Sequence, residues 1–155
     1  MAFDFEMKRR GLLVAGLALA GFPALAQRFQ PPQDITPLLM KITGGVAADK
    51  RGVEVVLPQI AENGNSVPLN VKVESPMTDA DYVKAIHIFA ERNPRPLVAS
   101  FHLGPQSGRA EIATRVRLAG TQTVNVLVEL SGKRFILGSA YVLVTAAACL
   151  DESLL

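Results

Sequence analysis

The chain has no tryptophan, one cysteine and two histidines among its 155 residues, and each scarcity removes a class of explanation. A single cysteine cannot close an internal disulfide, so any core must hold by packing alone. Two histidines, His87 and His102, are a thin donor set for a metal even with Cys149 as a third ligand, and no metal is expected. No glycine-rich loop opens a helix, which leaves nucleotide binding without support. The net charge is only +2 and scattered, which does not describe a nucleic-acid binder. The apolar run 12–22 is too short to stay in a bilayer as a spanning helix, so no stable membrane insertion is expected. Side-chain catalysis needs several groups brought together, and the pattern offers none. Neither an enzyme nor a cofactor is indicated.

What remains is a globular composition, with 49% hydrophobic and 19% charged residues. The N-terminus is set apart. Lys8, Arg9 and Arg10 precede the apolar run, and Ala24-Leu25-Ala26 precedes Gln27. That is the order of a secretory signal: charged start, apolar centre, small-residue cleavage site. Residues 1–26 are therefore expected to be a signal peptide cleaved after Ala26, with Met7 an alternative start. Arg9-Arg10 fits the twin-arginine route, and the ordinary Sec route stays open. The mature chain is expected in the periplasm, where a lone cysteine stays unpaired, bonds another molecule or is modified.

Residues 27–50 read as a proline-bearing linker and a short helix. Asp34 caps a helix from Ile35 to about Ile42, Pro37 is tolerated in its first turn, and Gly44-Gly45 ends it. Residues 51–145 then switch to period two. Val53–Pro58 is a short apolar strand, and Asn63-Gly64 a turn signal. Val67, Leu69, Val71 and Val73 alternate with polar or proline positions. YVKAIHIFA and LVASFHL flank the turn ERNPRP. In RAEIATRVRL, Ala110, Ile112, Thr114, Val116 and Leu118 face in, while Arg109, Glu111, Arg115 and Arg117 face out. TVNVLVEL and RFILGSAYVLVT complete about seven strands, which predicts an all-β, immunoglobulin-like antiparallel sandwich. Residues 146–155 form a tail bearing Cys149.

If the strands around ERNPRP pair as a hairpin, His87 and His102 fall diagonally near each other on one face. Arg109, Arg115 and Arg117 make a basic stripe, read as a solvated face or as a patch for an acidic partner. Tyr82, Phe89, Phe101, Phe135 and Tyr141 are spaced as core residues. Cys149 is the unusual feature. Five residues from Thr145 to Cys149, fully extended, span about 17 Å, enough to enter a cleft on another protein.

Three stretches together, LPQIAENGNSVPLNVKVESPMT, DYVKAIHIFAERNPRPLVASFHL and SGRAEIATRVRLAGTQTVNVLVEL, resemble the SoxY family of sulfur carriers, over about Val53 to Val144. The resemblance implies a sandwich that forms a heterodimer with a SoxZ-like subunit, the pair being exported to the periplasm on this chain's signal peptide by the twin-arginine route. It implies no enzymatic activity of its own. It further implies that a C-terminal cysteine, here Cys149, covalently carries sulfur intermediates of thiosulfate oxidation. Its transient partners would be a haem c protein that attaches thiosulfate, a dimanganese hydrolase that releases sulfate and a sulfane dehydrogenase. The family's cysteine sits between glycine pairs. Here it sits between Ala146-Ala147-Ala148 and Leu150-Asp151, and the chain continues to Leu155. The alternative is a related binding or scaffold subunit, or a carrier for another exported redox system.

Overall fold

The computed structural model describes residues 31–148; the signal segment 1–26 and Cys149 lie outside the described residues. The alternation along Val67–Val73 (β3) translates directly into structure. Val67, Leu69, Val71 and Val73 are buried while Pro68, Asn70 and Lys72 are exposed, so one face of the strand meets the core and the other meets water. Glu111–Val116 (β6) behaves in the same way, with Glu111, Ala113 and Arg115 exposed.

These two strands and Val53–Val56 (β1) make a three-stranded antiparallel sheet in the order β1-β3-β6. Val83–Ala90 (β4), Leu97–His102 (β5), Gln122–Leu130 (β7), Arg134–Val144 (β8) and the two-residue Ile60–Ala61 (β2) make a second sheet, ordered β2-β8-β7-β4-β5. Inward residues of both sheets, among them Leu69 and Val71 from β3, Ile86 and Ile88 from β4 and Val126 and Val128 from β7, form one core. The result is an all-β sandwich. Gly138, in the middle of β8, lets the layers close at one edge. A Cβ there would stand 2.7 Å from Cγ1 of Val53 and 3.1 Å from Cγ2 of Val55.

The described residues hold eight strands, one more than the seven or so that the periodicity marks. The extra one, β2, pairs in parallel with β8 through Ile60 opposite Leu143 and Ala61 opposite Val144. The chain leaves β1 in one sheet and joins the other sheet at β2, too briefly to leave a periodic signal. The helix runs Thr36–Thr43 (α1), one residue later than expected at each end. The Asp34 carboxylate accepts the Thr36 N–H at 2.9 Å, and hydrogen bonding to Thr36, through its side chain first and its main chain second, lowers the Asp34 pKa. Gly44 closes the helix at φ 64°, a left-handed conformation suited to glycine.

α1 lies on the outer face of the five-stranded sheet. Ile35 packs there with Phe89, Leu127 and Phe135, joined by Leu38, Leu39 and Ile42. Phe89 and Phe135 are therefore buried beneath the helix, not between the sheets. Tyr82 and Phe101 pack at the margin of the main core. Tyr141 contradicts its assignment to the core: it is 62% exposed. It lies on the outer face of β8 beyond the helix, where alternation alone cannot separate a covered face from an open one. No helix among the described residues is long and apolar enough to cross a membrane.

Candidate functional site

The residues leading to Cys149 are held to the body of the sandwich. β8 ends at Val144, whose N–H donates to Thr121 Oγ1 at 2.9 Å. The Thr145 N–H then donates to the Ala61 carbonyl at 3.0 Å and its hydroxyl to the Glu62 carbonyl at 3.1 Å. Next, three segments lock by main-chain bonds. Gly64 N–H donates to Ala146 O at 2.7 Å, Leu118 N–H to Gly64 O at 2.8 Å, and Ala148 N–H to Leu118 O at 3.0 Å. Ala148 is buried. The reach counted from Thr145 is therefore not available in this conformation, because the backbone is fixed as far as Ala148. The chain bends at Thr145 and Ala146 and then lies against the Gly64 and Leu118 segments.

Gly64 makes this approach possible. It is buried, and a Cβ on it would fall 2.4 Å from Leu118 O and 2.7 Å from Ala148 N. The Asn63-Gly64 pair does sit in a turn, with Asn63 Oδ1 accepting the Asn65 N–H at 2.8 Å. The glycine itself, however, is needed for close backbone contact.

Leu118 is fixed in turn by a buried amide. Asn93 donates from Nδ2 to Arg117 O at 2.8 Å, and its Oδ1 accepts from Ala119 N–H at 2.9 Å and Gln122 Nε2 at 3.2 Å. Its carbonyl accepts from Gln33 Nε2 at 2.6 Å. The turn read as ERNPRP thus braces the loop that receives Ala148. The sequence flagged that turn and Gly64, but neither Asn93 nor Leu118 as part of the site, since carbonyl acceptors carry no residue signature.

The histidines pair as the hairpin predicts. His102 lies opposite Ala85, two positions from His87, and the rings meet edge to face with centroids 6.3 Å apart. His87 Nδ1 bonds Ser100 Oγ at 2.8 Å, while its Nε2 is buried with no hydrogen-bond partner. Burial holds the His87 pKa below its ordinary value, with Glu129 opposing and His102 adding to the depression. His87 lies opposite Leu127 on β7, five residues along that strand from Gln122, the partner of Asn93, roughly 17 Å. The fold does not bring the histidines to the segment that leads to Cys149. Among the described residues no group of three or more histidine, cysteine or acidic side chains is placed to hold a metal.

The arginine stripe divides. Arg115 is tied to Ser66, through Nε to Oγ at 2.6 Å and Nη2 to the carbonyl at 3.3 Å. Glu111 and Lys72 face one another across β6 and β3, so the surface is of mixed charge. A cleft of about 410 Å3, lined by Asp49, Arg51, Glu74, Asp81 and Arg134, is also mixed, and its Arg134 is paired with Asp81.

A family profile described as "Sulfur oxidation protein SoxY" matches residues 39–149, from within α1 to Cys149 itself. The chain belongs to the SoxY family. The solved structure of the sulfur carrier protein SoxY from Chlorobium limicola f thiosulfatophilum is similar over 70% of this chain and 94% of that one, at 29% identity and a TM-score of 0.59. Superoxide reductase (neelaredoxin) from Ignicoccus hospitalis aligns over 67% of this chain and 91% of its own, at 12% identity and a TM-score of 0.53. Superoxide reductase from Nanoarchaeum equitans gives 6% identity and a TM-score of 0.52 over 62% and 100%. These two share the fold. No curated protein sequence gives a significant match. The SoxY match ends on the one residue type in the chain suited to bind sulfur covalently, next to the hydrogen-bonded Ala146–Ala148 segment.

Proposed function

We propose that this SoxY-family chain is a non-enzymatic carrier of covalently bound sulfur intermediates in thiosulfate or sulfur oxidation, with Cys149 as the attachment point. The observation that carries this reading is the family match running from residue 39 to Cys149, with residues 150–155 beyond it. The similarity to a protein described as a sulfur carrier supports it. A thiol of ordinary pKa, near 8.5, is about one-tenth thiolate at pH 7.5. Loading with thiosulfate joins the cysteine sulfur to the outer sulfur of thiosulfate. The thiol proton goes to solvent, and two electrons pass to a haem c partner, which leaves a Cys–S–S–SO3⁻ adduct. Later steps release sulfate by hydrolysis and oxidise the remaining sulfane sulfur on partner enzymes.

The same reading places the mature chain, starting at Gln27, in the periplasm as a heterodimer with a SoxZ-like subunit. Both edge strands of the three-stranded sheet, β1 and β6, have one side without a paired strand among the described residues, and such edges accept partner chains. The scaffold reading is favoured by one observation, the alanine segment fastened to the body. The deciding experiment is complementation of a strain lacking its carrier, with the wild-type chain and with Cys149→Ser, co-expressed with the SoxZ-like protein of its own source. The carrier reading expects thiosulfate-dependent sulfate production from the wild type and none from Cys149→Ser. Equal sulfate production by both would establish the scaffold role.

A further inference from the structure

We infer that Gly64 and Leu118 form a clasp on Ala146–Ala148 that fixes the pivot of the Cys149 thiol, and that delivery of the thiol into a partner's cleft requires the clasp to open. This rests on the carrier reading for its purpose, but its geometry stands apart from it. Three main-chain hydrogen bonds interlock the C-terminal segment, the Gly64 turn and the loop after β6, through Ala146, Gly64, Leu118 and Ala148. The outer two bind the terminal segment itself. Ala148 is 7% exposed, so its methyl is enclosed at the last described step before the cysteine. Leu118 is fully buried and its flanks are braced by Asn93, so one jaw is rigid.

The other jaw works because it lacks a side chain. A Cβ on Gly64 would stand within 2.4 Å of Leu118 O and 2.7 Å of Ala148 N, both main-chain atoms that cannot rotate aside. With the flanks of Leu118 braced by Asn93, a crowded Gly64 would push the Ala146–Ala148 segment aside. Gly64 and Leu118 are positioning residues acting through the alanines. Closed, the clasp anchors the backbone at Ala148, one residue before the thiol, and so would keep the thiol near that end of the sandwich. Open, it adds the residues back to Thr145 and restores a reach of about 17 Å. Alanine suits a segment that must both bind and release, since it loses less backbone freedom on being fixed than glycine does.

The single native cysteine gives a direct test. A nitroxide attached to Cys149 of the mature full-length chain reports how freely that position turns, and hydrogen exchange at Ala148 reports opening. The wild type should show a motionally restricted label and a protected Ala148 amide. Gly64→Ala should free the label and speed Ala148 exchange by on the order of five- to thirty-fold. Gly138→Ala is the control for general destabilisation. It crowds Val53 in the core and should leave the label restricted. Ala148→Pro deletes the N–H donated to Leu118 O and sets a ring carbon against that carbonyl, and should free the label even if Gly64→Ala fails to fold. A mobile label in the wild type, or equal loosening by Gly138→Ala, would overturn the clasp. A restricted label in a protein whose cysteine never carries sulfur in cells would leave the clasp standing and remove the carrier reading alone.

Discussion

Asn93 is the side chain on which the end of the sandwich nearest Cys149 depends, and Asn93→Ala removes it without touching the clasp directly. The substitution deletes one donated and two accepted side-chain hydrogen bonds. Gln122 Nε2 keeps Gly120 O at 3.1 Å, so it is not stranded. Arg117 O and Ala119 N–H lose the partners described for them next to a residue that is only 6% exposed. At about 1 kcal/mol net for each bond, with the stranded groups adding to that, the loss is about 3 kcal/mol. For a domain of this size, about 4 °C of Tm per kcal/mol converts that to a fall of about 12 °C. The assay is thermal unfolding of the mature chain by circular dichroism, with hydrogen exchange read at Leu118 and Ala148. Both amides should exchange faster in the variant under native conditions, because the loop that holds them has lost its brace. A fall in Tm of less than about 4 °C with unchanged exchange would refute the brace and weaken the rigid-jaw argument built on it.

Burial depresses the His87 pKa, so the unfolded chain takes up that proton first as pH falls through its ordinary value of about 6.5. His87 therefore lowers stability from there downward until the folded pKa is passed, and its contribution then levels off. His87→Phe should flatten the acid side of the stability profile, measured as urea midpoints at pH 7.5 and 5.5; an unchanged pH slope would count against it. Phe89→Ala empties a fully buried site under α1 and should cost about 3–5 kcal/mol, with the helical amides of Thr36–Thr43 exchanging faster; a cost under about 1 kcal/mol would mean the helix is not seated there. N-terminal sequencing of the exported protein should begin at Gln27, and an intact Met1 or Met7 on that material would refute the signal-peptide assignment.

The strands were legible where one face is core and the other is water. β3 and β6 alternate cleanly, and the β4–β5 hairpin could be read from ERNPRP well enough to bring His87 and His102 together. Legibility failed where backbone geometry decides. β2 is two residues long and parallel, so it has no alternation to show. Tyr141 has the spacing of a core residue but sits on a face that α1 covers only in part. Asn63-Gly64 was recognisable as a turn, yet glycine is required there by the carbonyl of Leu118 and the amide of Ala148, two residues remote in sequence. The fastening of Ala146–Ala148 is made of main-chain hydrogen bonds, which leave no mark in a run of alanines. Cys149 was conspicuous from the sequence alone because nothing else in the chain suits covalent sulfur chemistry.

The most direct measurement of the account is intact-mass and peptide analysis of the native protein from cells oxidising thiosulfate. The carrier account predicts a sulfur-containing mass increment confined to the peptide bearing Cys149 and removed by a thiol reductant. A cysteine that remains unmodified under every sulfur-oxidising condition, in protein that is exported and folded, would contradict it.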